Sequence, residues 1–210
     1  MVHKRVVVLI SGSGTNLQAL IDAQNTPALP NAQIVLVFSN RKAAYGLTRA
    51  SQAQIPTGYL ALQPYLKANP GKTRDDYDAK VAKQVLEADP NVVVLAGWMH
   101  VFGDGFLSLM GTIPVINLHP ALPGAFDGTN AIERAYDAFQ RGEIEHSGAM
   151  VHRVVKDVDR GEPLVVKNVP IEKGESLDDF AARLHSVEWE IIVQATREVV
   201  DEADFRLDDN

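Results

Sequence analysis

The strongest constraint on the fold is a set of apolar runs with few polar positions. Residues 5–10 (RVVVLI), 33–39 (QIVLVFS) and 92–96 (VVVLA) are nearly continuous and rich in β-branched side chains. Successive side chains of a strand point to opposite faces. A run that is apolar at consecutive positions must therefore be covered on both faces, as in the interior of a parallel sheet. Amphipathic stretches separate these runs. Leu17, Leu20 and Ile21 predict a helix over 16–23, and Tyr77, Val81 and Val85 one over 74–88; 45–54 reads as another. A short third strand is expected within 57–62, a loop and helix within 97–109, and a strand over 115–118. This order predicts an α/β fold built on a doubly wound, mostly parallel sheet, with ligands beyond the C-terminal ends of the strands.

The second half differs. A helix is expected over 130–141 and strands over 148–155 and 163–169, joined by the turn 156–162. A long helix follows over 176–202, with a cap at Ser176 and acids in its first turn. These imply an antiparallel C-terminal extension ending in a long helix. With no repeat or low-complexity linker, residues 1–210 read as one domain: a doubly wound half (1–118), a second half (119–200) and an acidic tail (201–210).

Composition excludes whole classes of chemistry. There is no cysteine, hence no disulfide, thiolate nucleophile or Cys-ligated metal. No apolar run approaches the ~20 residues that span a bilayer, and the N-terminus lacks a signal-peptide pattern. The net charge of −7 argues against broad nucleic-acid binding. The expectation is a cytoplasmic protein acting on small molecules, monomeric or homodimeric, without nucleic-acid or membrane partners. The last ten residues carry five acids and one Arg, a net of −4, and read as a solvated terminus.

Three segments carry candidate chemistry. Ser11-Gly12-Ser13-Gly14-Thr15-Asn16 lies between the first strand and first helix, where free N–H groups and the helix dipole suit a phosphate. The dinucleotide fingerprint is incomplete: Leu17 stands where a third Gly or Ala belongs, and Ser39-Asn40-Arg41-Lys42 replaces the acid that would end strand two. That disfavours NAD but leaves NADP open, through Arg41 or Lys42 on a 2′-phosphate, as it leaves a tight turn without ligand. In Val115-Ile116-Asn117-Leu118-His119-Pro120, Asn117 interrupts an apolar strand and shares its face with His119. The turn Lys156-Asp157-Val158-Asp159-Arg160-Gly161 supplies acids that are either solvated or functional. The six histidines show no metal-site spacing, so no metal is expected, and the absence of Gly-x-Ser-x-Gly removes the hydrolase elbow.

Together these segments resemble the phosphoribosylglycinamide formyltransferase family, in its stand-alone fungal-like form. The blocks are VVVLISGSGTNLQALIDA (6–23), VVVLAGWM (92–99), INLHPALPG (116–124) and HSGAMVHRVVKDVDRGEPLV (146–165). The resemblance implies formyl transfer from the co-substrate 10-formyltetrahydrofolate to the amine of glycinamide ribonucleotide, in de novo purine synthesis. It implies Asn117, His119 and Asp159 as the catalytic group. It places the ribonucleotide phosphate and ribose on Gly14, Thr15, Asn16, His185 and Glu188. It places the folate on Arg74, Met99, His100, Val101, Phe102, Asn117, Val155, Lys156, Asp157 and Val158. His100 stands where bacterial members carry Arg, and Lys156 where they often carry an acid. The rival readings are an NADP-binding oxidoreductase and a non-catalytic nucleotide sensor on a similar fold.

Overall fold

The structure is a computed structural model that describes residues 3–208, with side chains for 3–202. The chain order is β1 (Lys4–Ile10), α1 (Thr15–Ala23), β2 (Ala32–Ser39), α2 (Tyr45–Gln52), β3 (Thr57–Tyr59), α3 (Leu62–Ala68), α4 (Arg74–Leu86), β4 (Val92–Leu95) and α5 (Asp104–Met110). Then follow β5 (Val115–His119), α6 (Ala131–Gln140), β6 (His146–Arg153), β7 (Pro163–Pro170) and α7 (Leu177–Asp208). The strands form one seven-stranded sheet in the order β3-β2-β1-β4-β5-β6-β7. Strands β1 to β5 pair in parallel, while β6 and β7 are antiparallel. The strand order reverses between β1 and β4, which opens the crevice expected of a doubly wound sheet.

The alternation within β1 explains its continuous apolar run. Val6, Val8 and Ile10 join a core with Leu17 and Leu20 of α1 and Phe180, Leu184 and Ile191 of α7. Val7 and Leu9 face the other way, into a core with Tyr77, Val81 and Val85 of α4 and Phe106 of α5. Strand β4 divides likewise, with Val92 and Val94 on one side and Val93 and Leu95 on the other. Both central strands are thus buried on two faces, as their sequence demanded.

Helix α4 begins where the local chemistry requires it. Thr73 accepts from the Asp76 N–H while the Asp76 side chain takes the Thr73 N–H, a complete capping box. Two elements depart from the sequence-based expectation. The third strand covers only three residues, and residues 62–68, not expected to be helical, form α3. That helix has no side-chain cap and carries Pro64 in its first turn, a position where a missing N–H costs nothing. Helix α7 also continues beyond residue 202, through most of the segment read as an acidic tail, to Asp208. Residues 209–210 of that tail lie outside the described residues. Among the described residues, no helix is long and apolar enough to cross a membrane.

Leu20 is fully buried against the sheet whereas Leu109 on α5 is 41% exposed. Leu20→Ala is expected to lower unfolding free energy by about 2–5 kcal/mol, and Leu109→Ala by about 0.5 kcal/mol or less. Urea unfolding of both variants, with equal losses as the contrary result, checks where the core lies.

Candidate active site

The turn after β1 sits at the reversal of strand order. Gly14 has φ 72°, and a Cβ there would lie 2.6 Å from the Gly46 Cα, so only glycine permits this approach of the turn to α2. The Ser11 N–H donates to the Gly97 carbonyl at 3.0 Å, linking the ends of β1 and β4. The Ser11 hydroxyl, 2% exposed, accepts from the Met99 N–H at 2.7 Å and donates to Asn40 Oδ1 at 2.7 Å. Arg49 of α2 donates to the Ser13 carbonyl at 2.9 Å and to Gln18 at 3.1 Å, which fixes the turn from outside. The first turn of α1 contains no acid, so its N–H groups face the crevice with no fixed anion of their own sequence.

Asn16, His185 and Glu188 are far apart in sequence but adjacent in space. Asn16 Nδ2 donates to Glu188 Oε2 at 3.5 Å, and His185 Nδ1 donates to the same oxygen at 2.8 Å. Glu188 is 4% exposed, and the buried Asn16 Oδ1 has no hydrogen-bond partner among the described residues. The hydrogen bond to Glu188 raises the His185 pKa, outweighing the opposing effect of burial. The cluster offers a carboxylate and an amide oxygen, both acceptors suited to hydroxyl or amine donors.

The second constellation hangs from β5. Pleat alternation sends Val115, Asn117 and His119 to one face, the face where Val115 packs with α4 and α5. Ile116 and Leu118 go to the α7 face. In the β5–β6 register, Asn117 lies opposite His152. Asn117 Nδ2 is 3.2 Å from His152 Nε2 and 3.4 Å from Asp159 Oδ1. His119 Nδ1 lies 3.5 Å from Asp159 Oδ2, and His152 Nε2 3.4 Å from Asp159 Oδ1. His152 Nδ1 donates to the Arg153 carbonyl at 2.8 Å, which leaves Nε2 facing the other groups. The three side chains expected from the sequence therefore converge, and His152 is a fourth member. Its place depends on antiparallel register across 35 residues, which no local pattern encodes.

Asp159 has φ 55°, in the left-handed region, and caps the loop after β6. Burial pushes its carboxyl pKa up. The hydrogen bond from His152, the Gly128 N–H at 2.9 Å and the charge of His119 together outweigh that and hold it below the ordinary carboxylate range. His119 is 3% exposed and its Nε2 is buried with no hydrogen-bond partner among the described residues. An imidazole nitrogen in that state is the natural atom to meet a substrate.

The residues assigned to the folate divide between exposed and structural positions. Met99 (61% exposed) and Val101 (50%) face outward, as do Val155 and Val158 on the loop after β6. His100 and Phe102 face inward. His100 Nε2 contacts Asp78 Oδ1 at 2.6 Å, Asp78 Oδ2 takes the Gly103 N–H at 2.8 Å, and Phe102 stacks on Phe106. Arg74 donates to the Val101 carbonyl at 2.6 Å. Lys156 pairs with Asp104 at 2.8 Å, both exposed, and Asp157 is exposed too. One turn of α4 thus ties down the 98–103 loop at two points. Asp78, which had no distinctive sequence context, is its buried anchor. A cavity of about 520 Å³ lies between α5, the turn into β5 and the chain after β6, lined by Leu107, Ile113, Val115, Val154, Val155 and Lys156 among others. Among the described residues, no group of three or more His, Asp or Glu is arranged to hold a metal ion.

The formyl transferase family matches residues 4–196. The chain belongs to the formyl transferase family. It is 48% identical over 199 residues to phosphoribosylglycinamide formyltransferase of Schizosaccharomyces pombe, covering 93% of this chain and 96% of that one. It is 48% identical over 207 residues to the Saccharomyces cerevisiae protein of the same name, with 93% and 97% covered. Among solved structures, glycinamide ribonucleotide transformylase 1 of Symbiobacterium toebii superposes with a TM-score of 0.85 at 32% identity, over 95% of this chain and 89% of that one.

The His185–Glu188 pair gives a pH signature. Because its folded pKa is raised, His185 stabilises the fold fully below about pH 6.5, the ordinary histidine value. That contribution is lost as pH rises through the raised pKa. NMR titration should place the His185 midpoint above the ordinary value, and Glu188→Gln should lower it. An unmoved midpoint in that variant contradicts the pairing.

Proposed function

We propose that this enzyme transfers the formyl group of 10-formyltetrahydrofolate to the amine of glycinamide ribonucleotide, a step of de novo purine synthesis. The observation that carries the reading is the convergence of Asn117, His119 and Asp159, with His119 Nε2 buried and unpartnered. The reading also uses the two faces of the sheet. The ribonucleotide takes the side of α1 and α7, with its phosphate on the N–H groups of Gly14, Thr15 and Asn16. Its ribose meets His185 and Glu188. The folate takes the side of α4 and α5, between the 98–103 loop and the loop after β6. Met99, Val101, Val155 and Val158 supply apolar contact there. Arg74, His100, Phe102, Lys156 and Asp157 shape the pocket wall. The two substrates meet at the C-terminal end of β5. A monomer or homodimer acting in the cytoplasm completes the reading.

The chemistry follows from the groups present. The neutral amine attacks the formyl carbon, forming a C–N bond while the carbonyl electrons move to oxygen. Asn117 Nδ2 stabilises that oxyanion by exchanging one of its two long contacts for it. His119, protonated and held by Asp159, faces the same charge through Nε2. Collapse of the tetrahedral intermediate breaks the bond to the folate nitrogen, which receives a proton from His119. The amine loses one proton through a water that Asp159 orients. An α-amino group has a pKa near 8, so a fraction of it is neutral near pH 7, and that fraction attacks. An NADP-binding oxidoreductase leaves Asn117, His119 and Asp159 without a role.

Asn117→Ala, His119→Ala and Asp159→Ala are each expected to lower turnover by at least about 100-fold in proteins that keep the wild-type fold. A spectrophotometric formyl-transfer assay with glycinamide ribonucleotide measures this. A folded His119→Ala enzyme with near wild-type turnover overturns the assignment.

A further inference from the structure

Asp159 sits on one loop, but what orients it comes from another. The segment between β5 and α6 crosses the catalytic face and offers the Gly128 N–H to Asp159 Oδ2 at 2.9 Å. The segment is exposed at 123–124 and 128–130 and half-buried at 125–127. Gly124, Phe126, Gly128 and Asn130 all have positive φ (76°, 51°, 86° and 55°), so the backbone alternates in handedness rather than forming a regular element. Beside it lies a cavity of about 340 Å³ lined by Leu122, Ala125, Phe126 and Ile144 among others. Polar contacts therefore determine where Gly128 points.

Those contacts converge on one peptide unit. Arg134 of α6 donates to the Asp127 carbonyl at 2.9 Å and reaches the Thr129 carbonyl at 3.5 Å, with its guanidinium over the Phe126 ring at 5.6 Å. The Asp127 carbonyl and the Gly128 N–H belong to the same planar trans peptide and point in opposite directions. A guanidinium on the oxygen therefore fixes the direction of the N–H and polarises it toward Asp159. Beside this rung, Asp127 Oδ2 pairs with Arg160 Nη2 at 2.6 Å. Residues 127 and 128 of one loop thus grip residues 160 and 159 of the other, crosswise.

We propose that Arg134 and the Asp127–Arg160 pair are positioning groups for formyl transfer, acting through the 127–128 peptide to hold Asp159 against His119. None of the three side chains touches the reacting atoms. The proposal rests on the reading of Asp159 as a catalytic group. Displacing a catalytic group by a fraction of an ångström impairs chemistry more than binding, so the effect falls on kcat rather than KM.

The test measures kcat and both KM values by formyl-transfer absorbance, together with the thermal midpoint. It uses the full chain carrying Arg134→Ala, Arg134→Lys, Asp127→Asn, Arg160→Ala or Asp127→Asn with Arg160→Ala. Arg134→Ala is expected to lower kcat about 10-fold with both KM values within about two-fold. Arg134→Lys, which restores a donor to the Asp127 carbonyl, recovers most of that loss. Asp127→Asn, Arg160→Ala and their double variant fall equally, by about three- to five-fold, because they remove one contact. In an Asp159→Ala background, Arg134→Ala has no further effect on the residual rate. Wild-type kcat in both Arg134→Ala and Arg160→Ala, in an enzyme that Asp159→Ala silences, overturns the proposal and leaves the catalytic reading intact. A further 10-fold loss in the Asp159→Ala background also overturns it. A wild-type rate in Asp159→Ala overturns the catalytic reading itself.

Discussion

The candidate active site depends on the double pairing of β5, parallel to β4 on one side and antiparallel to β6 on the other. The parallel partner carries β5 into the buried middle of the sheet, so that Asn117 and His119 emerge where the strands end. The antiparallel partner brings His152 opposite Asn117 and delivers the loop that holds Asp159. A strand whose two neighbours run in opposite directions is what lets a Rossmann-like crevice acquire a carboxylate from the later half of the chain.

Electrostatics in the site are local rather than global. The protein has a net charge of −7, while the two substrates of the proposed reaction are anionic. Exposed charge is screened beyond about 8 Å at physiological salt, so close groups decide. Around the first turn these are backbone N–H groups and a helix N-terminus with no acid in its own first turn. Around Asp159 they are two histidines, an asparagine amide and the Gly128 N–H. The buried acid Glu188 is answered by His185 and Asn16, in keeping with the cost of burying an unpaired charge.

Much of this was legible in the sequence because it rests on periodicity and spacing. Consecutive apolar positions in β1 and β4 demanded two covered faces, and the cores on either side of the sheet supply them. Asn117 and His119 share a strand face by parity alone. Helix α3 escaped notice because its start has no side-chain cap and its proline argues for a turn. Asp78 escaped notice, and His152 was given no role, because their significance lies in what they face. An aspartate on an amphipathic helix is ordinarily solvated, and only the return of the 98–103 loop buries this one. Register between β5 and β6 is likewise a property of two segments together.

By itself, the sequence determined the α/β alternation, the two-sided burial of the central strands, the Gly-rich turn and the identities of the groups capable of acid–base work. The physical reason is that pleat, helical repeat and turn chemistry act over a few residues. Only the tertiary structure decided which of those groups meet. It set Asn16 against Glu188, turned His100 inward to Asp78, and placed the 127–128 peptide between Arg134 and Asp159. Those relations depend on loop paths and strand register, in which residues tens of positions apart are brought within hydrogen-bond reach by packing rather than by local pattern.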